Sequence, residues 1–317
     1  MVWGEVIQSA HRATNLVIKL VNEPLFGRGN RPVIAILSLS DTMSYISLLL
    51  GILRAGFIAF PISHGNSYTA VAQLLSQSEV THLLFSPEKK VKDIVSAAMN
   101  NLSGESTRTD PFFNPEPLST IDLDDIAVIY HTSDALTSKE QPQTISFGSR
   151  DLTGCVIACH AFPMIHAMGL FLLSSVVSTG FILSIFKPGH HVVPSPDNTL
   201  ESAAVTKSDF IATTPSFVES WSRNPTDAER ITKFSGIAGF IIFGGGPLSK
   251  EVGDQLTSKG VNIFIVYGLT QTMLVSKFIS EPLGEDWEYF EVTPSREAYF
   301  MGHGNDEYEQ PKTIAQV

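Results

Sequence analysis

The residues best placed to do chemistry lie where apolar runs stop. Residues 265–272 read IVYGLTQT, an apolar strand that ends in Tyr267, Gly268, Thr270 and Gln271 and not in an ordinary turn. Residues 239–249 read GFIIFGGGPLS, so a second strand passes into Gly244, Gly245, Gly246 and Pro247 before a helix. Those glycines remove side chains where strand meets helix, which lets backbone approach a flat or anionic ligand, with helix N–H groups beyond. The run is neither GxGxxG nor a Walker loop with its Lys, and a plain connection is the competing explanation. A third stretch, residues 131–145, reads HTSDALTSKEQPQTI. Its hydroxyls at Thr132, Ser133, Thr137 and Ser138 and the neighbouring amides suit a phosphate. Asp134 and Glu140 would repel an anion, Lys139 is the nearby cation, and a polar surface loop is the alternative.

Other reactive side chains give less. His166, in FPMIHAMGLF, is a lone imidazole among apolar residues, which fits either a core histidine satisfied by a carbonyl or a substrate contact. His131 and His160 have no metal spacing, and His190 and His191 sit in a Pro/Gly-rich connection, so no metal site is assigned. There is no GxSxG elbow, and Cys155 and Cys159 match neither a zinc pair nor a redox pair.

The elements that must position these loops follow an alternation of short apolar runs and helical stretches. Residues 32–37 (PVIAIL) predict a strand, 41–56 a helix capped by Asp41 and closed by Gly56, and 81–86 another strand, with helices over 67–76 and 87–100. Residues 101–120 break every period and read as a surface linker. Strands then follow at 126–133, 155–162, 180–186, 209–215, 239–246 and 262–268, with helices at 216–222 and 248–259. The expected fold is α/β, two doubly wound, mainly parallel sheets in a three-layer arrangement. A first lobe covers 1–120, including the linker; a second covers 121–284; an acidic, aromatic, irregular tail covers 285–317. In such sheets ligands bind outside the carboxyl ends of the strands, where all three loops fall.

Composition bounds the function. A chain of 317 residues that is 43% hydrophobic can bury a substantial core. A net charge of −11 with scattered basic residues argues against a nucleic-acid footprint. The N-terminus reads as an amphipathic helix without a secretory leader, and with two cysteines the chain is expected to be reduced and cytoplasmic. Residues 169–186 carry no charge and are just long enough to suggest a membrane span. Ser174, Ser175, Ser178, Thr179 and Gly180 interrupt them, which predicts a buried helix followed by a strand and no membrane span.

In order and spacing these stretches resemble the motifs of the AMP-dependent synthetase/ligase superfamily, the adenylate-forming group that includes acyl-CoA synthetases. The likeness is strongest to fungal adenylation domains of the nonribosomal peptide synthetase-like reductases. Residues 48–86 resemble an early block of that group, IAVIYHTS the entry to its phosphate loop, FPMIHAMGL its histidine motif, FGGGPLS its adenine-side motif and VYGLTQT its Tyr-Gly-x-Thr-Glu motif.

The resemblance implies ATP-dependent activation of a carboxylic acid to an acyl-AMP, followed by transfer to a thiol of CoA or a carrier-protein phosphopantetheine. It places Thr132 and Ser133 in the phosphate loop, and Gly245, Gly246 and Pro247 beside adenine. Tyr267 would pack on the adenine next to Gly268, Thr270 would contact the α-phosphate, and His166 would line the acyl pocket. Asp134 replaces the family's first loop glycine, PQTI (142–145) stands where Pro-Lys is usual, and Gln271 replaces a magnesium-binding Glu. The implied Mg2+ therefore has a weakened ligand, since a neutral amide binds a hard cation poorly. The likeness covers the family's N-terminal domain, without its Thr-Gly-Asp motif or the C-terminal domain with the catalytic Lys. An incomplete and impaired adenylating enzyme is expected, with a non-catalytic nucleotide- or acyl-binding protein as the alternative.

Overall fold

A computed structural model describes residues 3–21, 31–102, 128–131, 137–140, 151–235, 240–270, 273–279, 284–293, 301–304 and 307–309. They divide into two compact units: 1–143 with 164–167 and 186–192, and 144–163 with 168–185 and 193–317.

The first unit begins with α1 (Trp3–Val21), whose Val6, Ala10, Thr14, Val17 and Val21 form one buried stripe at helical spacing. It packs on α2 (Thr42–Arg54), and the contact is tight: a Cβ added at Gly51 would lie 2.6 Å from the Ala13 Cβ. Asp41 starts α2 by accepting hydrogen bonds from the Met43 and Ser44 N–H groups. The strands are β1 (Val33–Leu37), β2 (Ile58–Pro61), β3 (His82–Phe85), β4 (Val128–His131) and β5 (Thr137–Glu140), with α3 (Tyr68–Gln77) and α4 (Lys89–Asn101) between them. Their order is β3-β1-β2-β4-β5, parallel except for β4 with β5.

β1 is buried along its whole length. Val33, Ala35 and Leu37 pack with Val71 and Leu74 of α3 and Val91 and Ala98 of α4, while Ile34 and Ile36 alternate to the opposite face and are fully buried. A strand covered on both faces has to read as one apolar run, which is why it is visible in the sequence. The alternation grouped residues 126–133 with the later strands. In the structure Val128 pairs with Ala59 of β2, so β4 belongs to the first sheet. Apolar character signals that a strand is buried and leaves open which neighbour it pairs with. β5, of sequence TSKE, carries no apolar alternation and read as loop; as a polar edge strand it has no apolar face to show.

The second unit holds β6 (Val156–Ala158), α5 (Ala167–Thr179), β7 (Ile182–Ser184), α6 (Pro196–Val205), β8 (Phe210–Thr213), α7 (Pro215–Arg223), α8 (Pro225–Ser235), β9 (Phe240–Phe243), α9 (Lys250–Ser258) and β10 (Asn262–Ile265). The sheet order is β10-β9-β8-β6-β7, all parallel. Ala158, Ile211 and Ile263 share a core with Leu200, Val218, Trp221 and Leu256 from the covering helices. The uncharged run 169–186 is divided into a helix and a strand as expected, but the serines lie within α5 and the break comes at Gly180, which has φ +72°; among the described residues no helix is long and apolar enough to cross a membrane.

α6 and α8 were not legible. α6 buries only Thr199, Leu200 and Ala203, and its start is set by a reciprocal Ser195–Asn198 capping box with Pro196 in the first turn, not by an apolar period. Beyond β10 come two short antiparallel pairs, β11 (Gly268–Leu269) with β12 (Met273–Leu274) and β13 (Met301–Gly304) with β14 (Glu307–Glu309).

Candidate functional site

β9 and β10 run parallel in register, with Phe243 beside Ile265, so their carboxyl ends lie one strand spacing apart, about 4.8 Å. The glycine turn and the Tyr267 loop therefore leave the same edge of the sheet as neighbours. Gly244 is buried between them: a Cβ there would sit 2.8 Å from the Val266 carbonyl oxygen, so any side chain would force the two loops apart. Gly245 has φ +89°, a backbone conformation that suits glycine, and a Cβ at Gly245 or Gly246 would meet nothing within 4 Å. Gly245 and Gly246 thus form an exposed lip of bare backbone, continued by exposed Pro247. Buried Leu248 and a hydrogen bond from the Ser249 N–H to the Glu219 carboxylate (3.3 Å) hold its far end.

Tyr267 is fixed through its backbone. Its N–H donates to Ser276 Oγ at 2.9 Å, and its carbonyl accepts from the Val275 and Ser276 N–H groups at 2.9 and 3.0 Å. Ser276 is fully buried, so the chain that returns after β12 clamps the root of the tyrosine while its side chain stays half-exposed. Gly268 is exposed and Thr270 is half-buried.

Residues 284–293 lie against this return. The Lys277 N–H donates to the Glu291 carbonyl at 2.7 Å, Ser276 bridges to Val292, and the Thr293 N–H donates to the Val275 carbonyl at 2.9 Å. Trp287 is buried over Gly253 of α9, and its Nε1 donates to Asp254 at 2.9 Å. Lys250 pairs with Glu288 and Lys277 with Glu291. This arrangement lays the Phe290 ring on Tyr267, with ring centroids 5.0 Å apart and planes 20° from parallel. None of Ser276, Trp287 or Phe290 stood out in the sequence. The acidic-aromatic run EDWEYFEV was the available signal, but it has no period that assigns a partner.

The remaining expected residues divide differently. Thr132, Ser133 and Gln271 lie outside the described residues. His166 falls in the first unit, immediately before α5, and is exposed, which removes the core-histidine alternative. Near it, the His64 and His191 rings meet edge-on at 5.3 Å. Burial, with His191, Lys90 and His166 adding to it, holds His64 below the usual imidazole range. His160 is buried in the second unit and burial pushes it down to about 4. Burial pushes the Cys159 thiol up to about 12, which denies it a thiolate at neutral pH.

The fit to a nucleotide differs from the fit to a metal. An open glycine lip beside a half-exposed aromatic ring suits a purine. Among the described residues no three His, Cys, Asp or Glu gather into a cluster that could hold a metal by itself.

A family profile described as AMP-binding enzyme matches residues 138–297, just over half of the chain and the part that carries the glycine lip, Tyr267 and Phe290. The chain belongs to the AMP-binding enzyme family. It is 32% identical, over 97% of its length, to the adenylate-forming reductase Nps10 of Heterobasidion annosum, and it spans 31% of that relative. Among solved structures it is similar to the N-terminal domain of FACL13 from Mycobacterium tuberculosis, with TM-score 0.67, 16% identity and coverage of 90% of this chain and 72% of that one. It is also similar to ATP-bound MatB from Rhodopseudomonas palustris, with TM-score 0.61, 19% identity and coverage of 86% and 56%. These structural likenesses establish an α/β fold of the adenylate-forming N-terminal type.

Proposed function

We propose that this chain supplies the nucleotide-binding part of an enzyme that adenylates a carboxylic acid with ATP. The observation that carries the reading is the pairing of an open glycine lip with Tyr267 at the adjacent carboxyl ends of β9 and β10. Membership of the AMP-binding family and the likeness to an adenylate-forming reductase support it. In the reaction a carboxylate oxygen attacks the α-phosphorus of ATP; a C(O)O–P bond forms, the bond to the bridging oxygen breaks, and pyrophosphate leaves with the electron pair. Tyr267 packs on the adenine, Gly245, Gly246 and Pro247 flank it, and Thr270 donates its hydroxyl to the α-phosphate. Thr132 and Ser133 hold the outer phosphates, and His166 lines the acyl pocket. The acyl group then passes to a thiol, CoA or a phosphopantetheine arm.

The test is carboxylate-dependent exchange of labelled pyrophosphate into ATP across a broad panel of acids. Exchange with one acid class supports the reading, and its absence with every acid counts against adenylation. Gln271, in place of a carboxylate, favours a second reading in which the chain binds nucleotide or acyl-adenylate without turnover. That protein would bind AMP saturably and show no exchange.

A further inference from the structure

We infer that Phe290 is a positioning residue for the nucleotide: by covering one face of Tyr267 it fixes the phenol ring and leaves the opposite face to receive the purine. The inference rests on the reading of Tyr267 as the adenine-packing residue and adds a partner that the sequence motif does not contain. Its ground is the stack itself, near-parallel at 5.0 Å, which is the offset geometry aromatic pairs prefer. A half-exposed tyrosine side chain has rotamer freedom that a purine would have to freeze, and a ring already seated on one face removes that cost before binding.

The second ground is that the chain on either side of Phe290 is held by several independent contacts. Backbone bonds tie residues 291–293 to 275–277, and those to the Tyr267 root, so the segment continues the same antiparallel ladder. On the other side Trp287 is buried over Gly253 and bonded to Asp254. Phe290 lies between these anchors with 37% of its surface exposed. A residue whose chain is anchored before and after it makes a fixed wall of the site. A plug would have to leave before a purine could enter, and every anchor named here opposes that departure.

The experiment is calorimetric titration of AMP into the full chain and into Phe290→Ala, Phe290→Leu and Phe290→Tyr, with a melting curve for each. Phe290→Ala and Phe290→Leu are expected to weaken AMP by about threefold to tenfold. Phe290→Tyr, which keeps a ring, should restore wild-type affinity. Loss of affinity in the leucine variant at an unchanged melting temperature separates ring positioning from general packing. AMP affinity in Phe290→Ala and Phe290→Leu equal to or tighter than wild type overturns the inference, and tighter binding would mean that Phe290 occupies the purine's place. Wild-type protein that binds no AMP overturns the reading of Tyr267 as well, so the two failures are distinguishable.

Discussion

At the scale of single residues the motif glycines and Tyr267 drew notice because a glycine run and an aromatic-polar run each follow an apolar strand. Their partners were not. Nothing in EDWEYFEV tells that Phe290 meets a ring earlier in the chain, since a stack depends on the path between two residues and not on either alone. His166 shows the same limit: its apolar neighbours in sequence suggested a buried site, yet the side chain is exposed. His160 lacked a sequence signal and is buried. Its folded pKa of about 4 lies below the unfolded value of 6.5, so between these values the unfolded chain binds more protons. Stability should be full above pH 6.5 and fall as the pH drops toward 4, by on the order of 3 kcal/mol from this group. Denaturant midpoints measured across that range for wild type and His160→Asn check it, since the variant should lose that part of the slope. Parallel curves would show that His160 does not contribute.

At the scale of elements the parallel strands and most helices followed from apolar periodicity, and Asp41 marked the start of α2 as a side-chain cap should. Pairing was less accessible, as β4 shows, and so were helices whose buried stripe is short. The contact of α9 with the 284–293 segment was invisible for a related reason: Gly253 reads as a weak helix residue, and only the structure supplies the indole that needs the space. A Cβ at Gly253 would collide with the Trp287 ring, so Gly253→Ala gains helix propensity but loses the packing of the segment. The net effect is expected to be a destabilisation of about 1–3 kcal/mol, the usual cost of overpacking. Chemical denaturation measures it, and Trp287 fluorescence should shift toward a solvent-exposed value. A Gly253→Ala protein as stable as wild type, with unchanged emission, would contradict the packing described.

For the whole molecule, five short motifs in order carried the resemblance to the adenylate-forming family. The structure brings two of them, GGGPLS and VYGLTQT, to neighbouring strand ends. Order along a chain is readable in a sequence; adjacency in a sheet is not, because it depends on β9 pairing with β10. The chain spans about a third of the length of its relative Nps10, so the most direct test concerns binding at this edge and not turnover by a complete enzyme. That test is titration of AMP into the full chain beside Tyr267→Ala, with melting curves confirming that both are folded. Saturable one-site binding by the wild type, weakened about fivefold or more when the ring is removed, is the predicted result. Equal affinity in the two proteins, or no binding by the folded wild type, would contradict a nucleotide site at the ends of β9 and β10.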